Sequence, residues 1–350
     1  MADPRPWTEE WYAQVVEPVL EPDLEIVDPH HHLWPDGGAL PYGLTELKKD
    51  VQSGHDVTRT VFIECGASYR RDGPAAFAPI GETEFVAGVS RGDPDHLIGA
   101  IVAHADLRSP DLDELLDAHA AAAGGLLRGI RDAIARAEHP ESLTIPGRAA
   151  TGLSRDAAFR AGVGLLGERG LTYDSWHYHF QNPEFLDLAR AVPGTTMVLD
   201  HFGTPLVGGP YAAHADEIFE QWRVDLTEIA RCDNVVAKLG GMAMIDNGYG
   251  WHARVSPATS DELLTAQSRY YEHTIQVFGP DRCMFESNFP IDRFSISYRT
   301  VWNAFKKLTV GYSASERAAM FSGTARRVYR LDEGGRAQPC LLYTSDAADE

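Results

Sequence analysis

The chain has 350 residues, of which 44% are hydrophobic and 23% are charged, and this is the composition of a globular protein rather than a disordered one. Asp and Glu outnumber Lys and Arg by 51 to 31, which leaves a formal net charge of −20. Because carboxylates in this excess repel phosphates, we expect neither a nucleic acid nor an anionic membrane surface as a partner.

The start of the chain has no basic stretch followed by an apolar core, so we expect no signal peptide. No apolar run approaches the roughly 20 residues that cross a bilayer. The four cysteines, Cys65, Cys232, Cys283 and Cys340, are widely separated and form no CxxC pair, which argues against a disulfide framework or a zinc finger. Cytoplasmic localisation is therefore the default expectation.

Both ends of the chain stand apart from the rest. Residues 1–23 contain four prolines, and we interpret them as an N-terminal extension that packs through Trp7, Trp11 and Tyr12. Residues 340–350 read CLLYTSDAADE, which resembles the translation of a sequencing-library adapter. We interpret this segment as a non-native tail, with a natural polar tail as the alternative, and exclude it from the prediction of the fold.

Eight short apolar runs, each ending in polar residues or Gly, recur between these two segments. They are Leu24–Trp34, Thr60–Gly66, Leu97–His104, Leu126–Asp132, Gly170–His177, Thr196–Gly203, Asn234–Gly241 and Arg282–Pro290. Helical patterns follow most of them. These are Ile80–Ser90, Leu112–Ala122, Ala157–Arg169, Pro183–Ala191, Ala215–Arg231, Ser260–Phe278, Ser295–Leu308 and Ala314–Leu331.

This alternation predicts an α/β protein with a parallel sheet that is buried on both faces. Eight strand–helix units within residues 24–335 predict a single (β/α)8 TIM barrel that forms one domain. A doubly wound open sheet is the alternative. That fold typically has a Gly-rich turn after its first strand, where this chain has Asp28-Pro29-His30-His31-His32.

These first-strand histidines are the strongest chemical signal in the sequence. Side chains alternate along a strand, so His30 and His32 share one face and His31 points the other way. At the carboxyl end of a barrel strand that face is the mouth, where barrel enzymes hold their chemistry. Two such imidazoles can bind one metal ion or hold a substrate carbonyl. The alternative is a solvated surface turn.

A further histidine follows the sixth run, in Leu199-Asp200-His201-Phe202-Gly203. We expect His201 at the same mouth, where it could complete a three-histidine set with His30 and His32 and leave one metal position open for water or substrate. The alternative is a buried histidine whose ring nitrogens are satisfied by the backbone.

The eighth run ends in Glu286-Ser287-Asn288, and Glu286 and Asn288 share a strand face with Glu286 one layer deeper. A buried carboxylate there could act as a general base, because burial raises the pKa of a carboxyl toward neutrality. The alternative is a structural ion pair between Glu286 and Arg128 or Arg131. The sequence does not separate these two roles.

Three motifs in this order resemble the amidohydrolase superfamily: HxH ending strand one, Asp-His-Phe-Gly ending strand six, and Met-Phe-Glu-Ser-Asn-Phe-Pro ending strand eight. The chain is most similar to the amidohydrolase-related (amidohydrolase 2) branch, which contains sugar-acid lactonases and dicarboxylate-lactone hydrolases. The resemblance implies a (β/α)8 barrel and hydrolysis of a lactone, ester or amide. It maps His30 and His32 onto the first-strand pair and His201 onto the sixth-strand histidine.

Two departures from the family pattern affect the expected mechanism. The fourth run has Arg128 and Arg131 but no Lys, so the carbamylated lysine of binuclear members is missing and we expect no binuclear site. The eighth strand presents Asn288 where the family usually has the proton-shuttling Asp. We expect that duty to pass to Glu286, Asp292 or His177, the last of which lies near the end of the fifth strand. Alternatively, the usual activity is lost.

Three side chains are candidates for substrate binding. Arg131 could pair with a substrate carboxylate in a bidentate manner, which Lys could not do. Arg70 lies on the loop after strand two, where barrel loops shape specificity, and Trp34 could form a wall of the pocket. The alternatives are solvated loop charges for the arginines and core packing for Trp34.

The sequence therefore predicts a metal-assisted hydrolase of a lactone, ester or related carbonyl compound that carries a carboxylate. We expect His30, His32 and His201 to hold one divalent ion, with zinc favoured, or else to contact the carbonyl without a metal. The expected partner is a small-molecule substrate, and a homo-oligomer is compatible with the sequence. The alternatives are a metal-dependent decarboxylase of an aromatic or unsaturated acid and, because of Asn288, a barrel that binds a ligand without turnover.

Overall fold

A computed structural model describes residues 7–35 and 40–331 of the chain. Eight parallel strands pair in chain order, each with the next. They are β1 Glu25–His31, β2 Asp56–Ile63, β3 Ile98–Ala103, β4 Leu127–Arg131, β5 Thr172–Ser175, β6 Met197–Leu199, β7 Val235–Leu239 and β8 Cys283–Phe285. This order confirms the predicted (β/α)8 barrel and excludes the doubly wound sheet, whose strand order reverses.

Each of the eight strands is followed by a helix. The helices in the described part of the chain are α1 Glu9–Tyr12, α2 Leu44–Val51, α3 Ile80–Gly92, α4 Leu112–Ala123, α5 Ala157–Glu168, α6 Asn182–Ala191, α7 Ala215–Ile229, α8 Ser260–Phe278, α9 Tyr298–Leu308, α10 Ala314–Ala318 and α11 Thr324–Val328. Shorter 3-10 turns lie mainly in the loops at the ends of the strands.

The helix predictions differ from the structure at three places. The α2 helix was not predicted, because its eight residues bury only Leu47 and Val51 and therefore give little apolar periodicity. The α9 helix begins after Ser297, whose side chain accepts a hydrogen bond from the backbone of Thr300. The single helix predicted for residues 314–331 is interrupted by a π-helical turn at Ala319–Gly323.

The apolar side chains form two layers. One cluster contains alternate residues of the strands, among them Val61, Ile63, Val102 and Val198, and it packs onto Tyr329 just after α11. The larger cluster contains the opposite strand faces and the buried faces of the helices. The cluster that contains Tyr329 is the inward-facing layer and fills the lower part of the barrel. The chemistry-bearing side chains therefore lie above it, at the carboxyl ends of the strands.

The barrel closes between β1 and β8 largely through the side chain of Asp28. Its carboxylate accepts hydrogen bonds from Ser287 N (3.0 Å), Ser287 Oγ (2.6 Å) and Tyr298 Oη (3.0 Å). Backbone bonds from His32 N to Phe289 O (2.8 Å) and from Asn288 N to His30 O (3.0 Å) complete this seam. Burial raises the pKa of Asp28 to about 6, yet the three donors favour its ionised form above that pH.

The N-terminal segment packs against the loops that follow β7 and β8. Trp11 is buried and its indole N–H donates to Arg254 O (2.9 Å), and the hydroxyl of Tyr12 donates to Arg293 O (2.6 Å). Trp7 stays half exposed and contacts Phe294 edge-to-face. The proposed non-native tail, residues 340–350, lies outside the described residues. Among the described helices, none is long and apolar enough to cross a membrane.

Replacing Asp28 by alanine should weaken the closure of the barrel. Three donors would lose a buried charged acceptor, so we expect a loss of about 2–4 kcal/mol in the free energy of unfolding at pH 7.5. Tyr298→Phe removes one of these hydrogen bonds and should cost about 1 kcal/mol. Urea titration followed by tryptophan fluorescence measures both, and equal stability of Asp28→Ala and wild type would contradict this account of the seam.

Candidate active site

A cavity of about 300 Å3 opens at the carboxyl ends of the strands. Its walls combine polar groups of the strand ends with apolar groups of the loops. The lining residues are His32, Trp34, Glu64, Cys65, Gly66, Arg131, Ala133, Ile145, Trp176, His201, Met244, Asn288 and Ile291. A larger cavity of about 490 Å3 lies outside the barrel between the N-terminal segment, α2 and the start of α9, and none of its described lining residues is a histidine or cysteine.

His32 lines the cavity and faces His30, which is fully buried next to it. Their Nε2 atoms are 3.3 Å apart, and His32 Nδ1 lies 2.8 Å from Ile63 O. The carbonyl can only accept, so His32 Nδ1 carries the proton and its Nε2 presents a lone pair toward His30. Two nitrogens that bind one zinc ion tetrahedrally are separated by about 3.4 Å, so this spacing suits a shared ion.

Glu286 lies behind two of the histidines rather than beside the cavity. Its Oε1 is 2.6 Å from His201 Nδ1 and its Oε2 is 2.8 Å from His30 Nδ1, and the carboxylate is completely buried. A proton on His201 Nδ1 leaves the Nε2 of that ring, which lines the cavity, as an acceptor. The arrangement thus orients imidazoles in the way that carboxylates behind metal-binding histidines do.

His30 Nδ1 has a second neighbour, Lys238 Nζ, at 3.3 Å. One nitrogen cannot both donate to Glu286 and accept from Lys238, so the contact that forms sets the tautomer of His30. A proton on Nδ1 leaves Nε2 as a lone pair opposite His32. If His30 Nδ1 instead accepts a hydrogen bond from Lys238, the ring proton is on Nε2 and points toward His32 Nε2.

Both first-strand histidines are neutral at physiological pH. Burial, together with the positive charges of Lys238 and Arg131, lowers the pKa values of His30 and His32 well below that of free histidine. Neutral imidazole is the form that ligates metal ions, so a cation does not have to displace a proton from either ring.

The donor atoms present fit a divalent ion. Atoms of His30, His201 and Glu286 all lie within 4.8 Å of one another, and the Nε2 atom of His32 faces His30. Two buried oxygens, Glu286 Oε2 and Asp200 Oδ1, have no hydrogen-bond partner among the described residues, although cationic or imidazole nitrogens approach both. Imidazole nitrogens with carboxylate oxygens are the ligands that zinc prefers. His30 and His201 are common to both candidate sets, and the third ligand is His32 or Glu286.

Two glycines at the end of β7 make room for this pair of groups. A Cβ atom on Gly241 would lie 2.0 Å from His201 Nδ1, and one on Gly240 would lie 2.2 Å from Glu286 O. Gly241 also has a positive φ of 66°. The close approach of His201 and Glu286 therefore requires glycine at both positions.

The segment that carries His201 has unusual backbone geometry. His201, Phe202 and Thr204 have φ values of 55°, 57° and 43°, in the left-handed region that non-glycine residues rarely adopt. Trp222 donates its indole N–H to Phe202 O (2.7 Å) and so supports this conformation. Strained backbone of this kind is often found where a structure holds a functional side chain in place.

Asn288 lines the cavity, and its amide donates to Asp292 Oδ1 (2.8 Å). Asp292 Oδ2 accepts from Ala243 N (3.0 Å), so the carboxyl ties the end of β8 to the loop after β7. Burial raises the pKa of Asp292 to about 7. Asn288 has a φ of 54°, which Asn tolerates better than most side chains.

Arg131 lies in the cavity wall with carboxylate partners of its own. Its Nε donates to Glu64 Oε1 (2.7 Å), and a terminal nitrogen lies 3.4 Å from Asp200 Oδ2. A second terminal nitrogen donates to the backbone oxygen of Glu64. The ion pair between Arg131 and Glu286 that was one alternative is therefore not formed. Arg131 is also the single formal cation among the described lining residues.

Of the remaining predicted site residues, some line the cavity and others lie away from it. Trp34 lines the cavity, opposite a second tryptophan, Trp176, that was not predicted. His177 is buried outside the cavity, with Nδ1 near Ser175 Oγ (3.0 Å) and Nε2 near Asn182 Oδ1 (3.1 Å). Its ring stacks on Phe185 of α6 and does not line the cavity.

Arg70 also lies away from the described lining of the cavity. It forms an exposed ion pair with Glu84 of α3. Arg70 therefore has the position of a solvated surface charge, which was the alternative to substrate binding.

Four charged residues of the site were missed, namely Glu64, Asp174, Asp200 and Lys238. Lys238 is fully buried in β7 and forms ion pairs with Asp174 Oδ2 and Asp200 Oδ1, both at 3.0 Å. Burial lowers the pKa of Lys238, but these carboxylates outweigh that effect and raise it. A lysine within the apolar run Val-Val-Ala-Lys-Leu was the available signal, because charged side chains are almost never fully buried unless paired.

The chain is similar to several known proteins. A family model described as "Amidohydrolase" matches residues 27–331. The uncharacterized protein y4mH of Sinorhizobium fredii is 34% identical over 330 residues, which cover 88% of this chain and 99% of that protein. An L-fucono-1,5-lactonase of Burkholderia multivorans is 29% identical over 242 residues, which cover 69% of this chain and 74% of the lactonase.

One similar solved structure contains a bound metal. The crystal structure of an amidohydrolase from Burkholderia multivorans with bound zinc superimposes with a TM-score of 0.69. The two chains are 26% identical, and the match covers 87% of this chain and 99% of the other.

A methyl group at Gly241 should displace His201. Because the added Cβ would meet His201 Nδ1 at 2.0 Å, we expect Gly241→Ala to lose about 2–3 kcal/mol of stability beyond the backbone penalty of a positive φ. Gly125→Ala is the matched control, since Gly125 has a φ of 94° and no atom within 4 Å of its Cβ position. Urea unfolding of both variants gives the difference, and equal losses would show that the close approach is unimportant.

Proposed function

The chain belongs to the amidohydrolase family, and from this premise we propose that it is a metal-dependent hydrolase of an uncharged lactone or a related cyclic ester. The observation that carries the proposal is the convergence of three histidines: the Nε2 atoms of His30 and His32 are 3.3 Å apart, and Glu286 contacts Nδ1 of both His30 and His201 from behind. The similarity to an L-fucono-1,5-lactonase supports a lactone as the substrate class.

His30, His32 and His201 would hold the ion through their Nε2 atoms in this proposal. Glu286, 2.6 Å from His201 Nδ1 and 2.8 Å from His30 Nδ1, would fix both rings. When bound, a divalent ion would supply Lewis acidity toward a substrate carbonyl and an attacking water. The chain itself supplies orientation, an enclosed cavity and groups that accept or hold protons.

The cavity walls suit a flat or ring-shaped substrate. Trp34 and Trp176 offer aromatic surfaces, and Ile145, Met244 and Ile291 add apolar area. Asn288 is held by Asp292 and could hydrogen-bond a ring oxygen. The pKa of Asp292, raised by burial to about 7, allows this carboxyl to exchange a proton near neutral pH, although it lies behind Asn288.

An uncharged substrate follows from the partners of Arg131. Glu64 and Asp200 already hold its guanidinium, at 2.7 and 3.4 Å. A substrate carboxylate would have to compete with two buried or nearly buried carboxylates for one cation, which is electrostatically unfavourable. Our proposal therefore gives Arg131 a structural role and omits the substrate carboxylate expected from the sequence.

Metal content tests the first part of the proposal. Protein purified from zinc-supplemented medium should contain about one equivalent of zinc, and His30→Ala and His201→Ala should contain almost none. Glu286→Gln should bind zinc about 10–100-fold more weakly, because it loses one of two imidazole contacts. His214→Ala, at an exposed position on the protein surface, is the control. Equally low zinc in wild type and His30→Ala would refute the metal site.

A substrate panel tests the second part. We expect hydrolysis of uncharged six-membered sugar-acid lactones, measured by proton release, and at least about 10-fold lower kcat/KM for the same ring bearing a carboxylate. Trp34→Ala should raise KM, since an aromatic contact of this kind is worth about 1 kcal/mol. Carbon dioxide release from hydroxybenzoates without lactone hydrolysis would favour the decarboxylase. Ligand binding without any turnover would favour a non-catalytic barrel.

A further inference from the structure

Lys238 is a buried cation that the proposed reaction does not use. Its side chain projects from β7 and is wholly shielded from solvent. Two carboxylate oxygens, Asp174 Oδ2 and Asp200 Oδ1, lie 3.0 Å from Nζ, and His30 Nδ1 lies 3.3 Å from it. The ring of Tyr329 lies 5.5 Å away, and its hydroxyl donates to Asp174 Oδ2 at 2.6 Å.

The atoms around this ammonium are those that ligate divalent ions. Two carboxylate oxygens, from Asp174 in β5 and Asp200 just after β6, converge on Nζ, and His30 Nδ1 lies beside them. The neighbouring candidate site of His30, His201 and Glu286 shares His30 with this cluster. The barrel centre therefore contains two adjacent cation positions, one of them taken by the protein itself.

Charge balance explains why a cation must be there. Asp174, Asp200 and Glu286 are fully buried, and Arg131 forms its ion pairs with Glu64 and with one oxygen of Asp200. Without Lys238, Asp174 would be left with hydroxyl donors alone, from Thr172 and Tyr329. Buried carboxylates without a counter-charge are strongly unfavourable.

We propose that the Lys238 ammonium fills a second cation position in this barrel, and that shortening the side chain leaves the carboxylates of Asp174 and Asp200 as a site for a hydrated divalent ion. Lys238 then restricts the wild-type centre to one ion and keeps the carboxylates neutralised when no metal is bound. The second position rests on Asp174 and Asp200, so it does not require that the proposed hydrolase activity be correct.

The test compares metal stoichiometry in matched variants. Lys238→Ala removes the ammonium and most of its alkyl stem, and it should bind one zinc or manganese ion more than wild type in equilibrium dialysis followed by elemental analysis. Lys238→Met keeps a similar volume without the charge and should gain no ion. The double variant Lys238→Ala/Asp174→Asn removes a ligand and should return to the wild-type stoichiometry.

Thermal unfolding provides a second readout. Added zinc should raise the melting temperature of Lys238→Ala more than that of wild type, because the ion replaces the missing counter-charge. Lys238→Met should respond to zinc no more strongly than wild type does.

Each outcome decides the proposal. A folded Lys238→Ala with the wild-type stoichiometry would overturn it. Failure to obtain folded Lys238→Ala, whether or not zinc is in the medium, would also overturn the proposal, because the ion must be able to replace the ammonium. Wild type with no ion and Lys238→Ala with one ion would support the second position while removing the metal-dependent part of the proposed function.

Discussion

One carboxylate organises the mouth of this barrel. Glu286 comes directly after β8, and both of its oxygens contact imidazoles that come from different parts of the chain, His30 at the end of β1 and His201 after β6. Each ring meets the carboxylate through Nδ1, and the Nε2 of His30 faces His32, which lines the cavity together with His201. The position of one buried side chain thus sets the direction of two potential ligands.

The rest of the mouth is shaped around this arrangement. The two glycines after β7 have no side chain because His201 and Glu286 occupy the space. The left-handed turn at His201 brings its ring back over the strand ends. Lys238 and Arg131 then neutralise the carboxylates that surround the histidines. Steric and electrostatic demands of the same few groups therefore account for residues at the ends of several strands.

Much of the fold was predictable because its signals are local. Each strand is a short apolar run, and the long helices such as α7 and α8 have clear amphipathic periodicity. The α2 helix escaped detection because it buries only two apolar side chains. Of the site, His30, His32 and His201 could be placed at the mouth, because a strand end positions its side chains by parity alone.

The partners of the site residues could not be predicted in the same way. That Glu286 would meet imidazoles rather than arginines, and that Arg131 would be held by Glu64, depends on which side chains the closed barrel brings across its diameter. His177 shows the same limit. Its position near the end of β5 suggested the mouth, but the chain turns immediately afterwards and directs the ring toward Asn182. The alternation of side chains predicts which face of a strand a residue occupies, whereas the direction of the chain after the strand depends on tertiary contacts.

The seam between β1 and β8 places the site on the least strongly paired junction of the barrel. His30 and His32 lie on one side of it and Glu286 and Asn288 on the other, joined by two backbone bonds and the carboxylate of Asp28. Local opening of a protein begins where cooperative pairing is weakest. A transient parting of these edges would pull the histidines away from their carboxylate before the rest of the sheet loosened. An ion bound at the centre would then hold the β1 and β8 edges together. Retention of the ion and protection of the β1 amides from exchange would therefore rise and fall together.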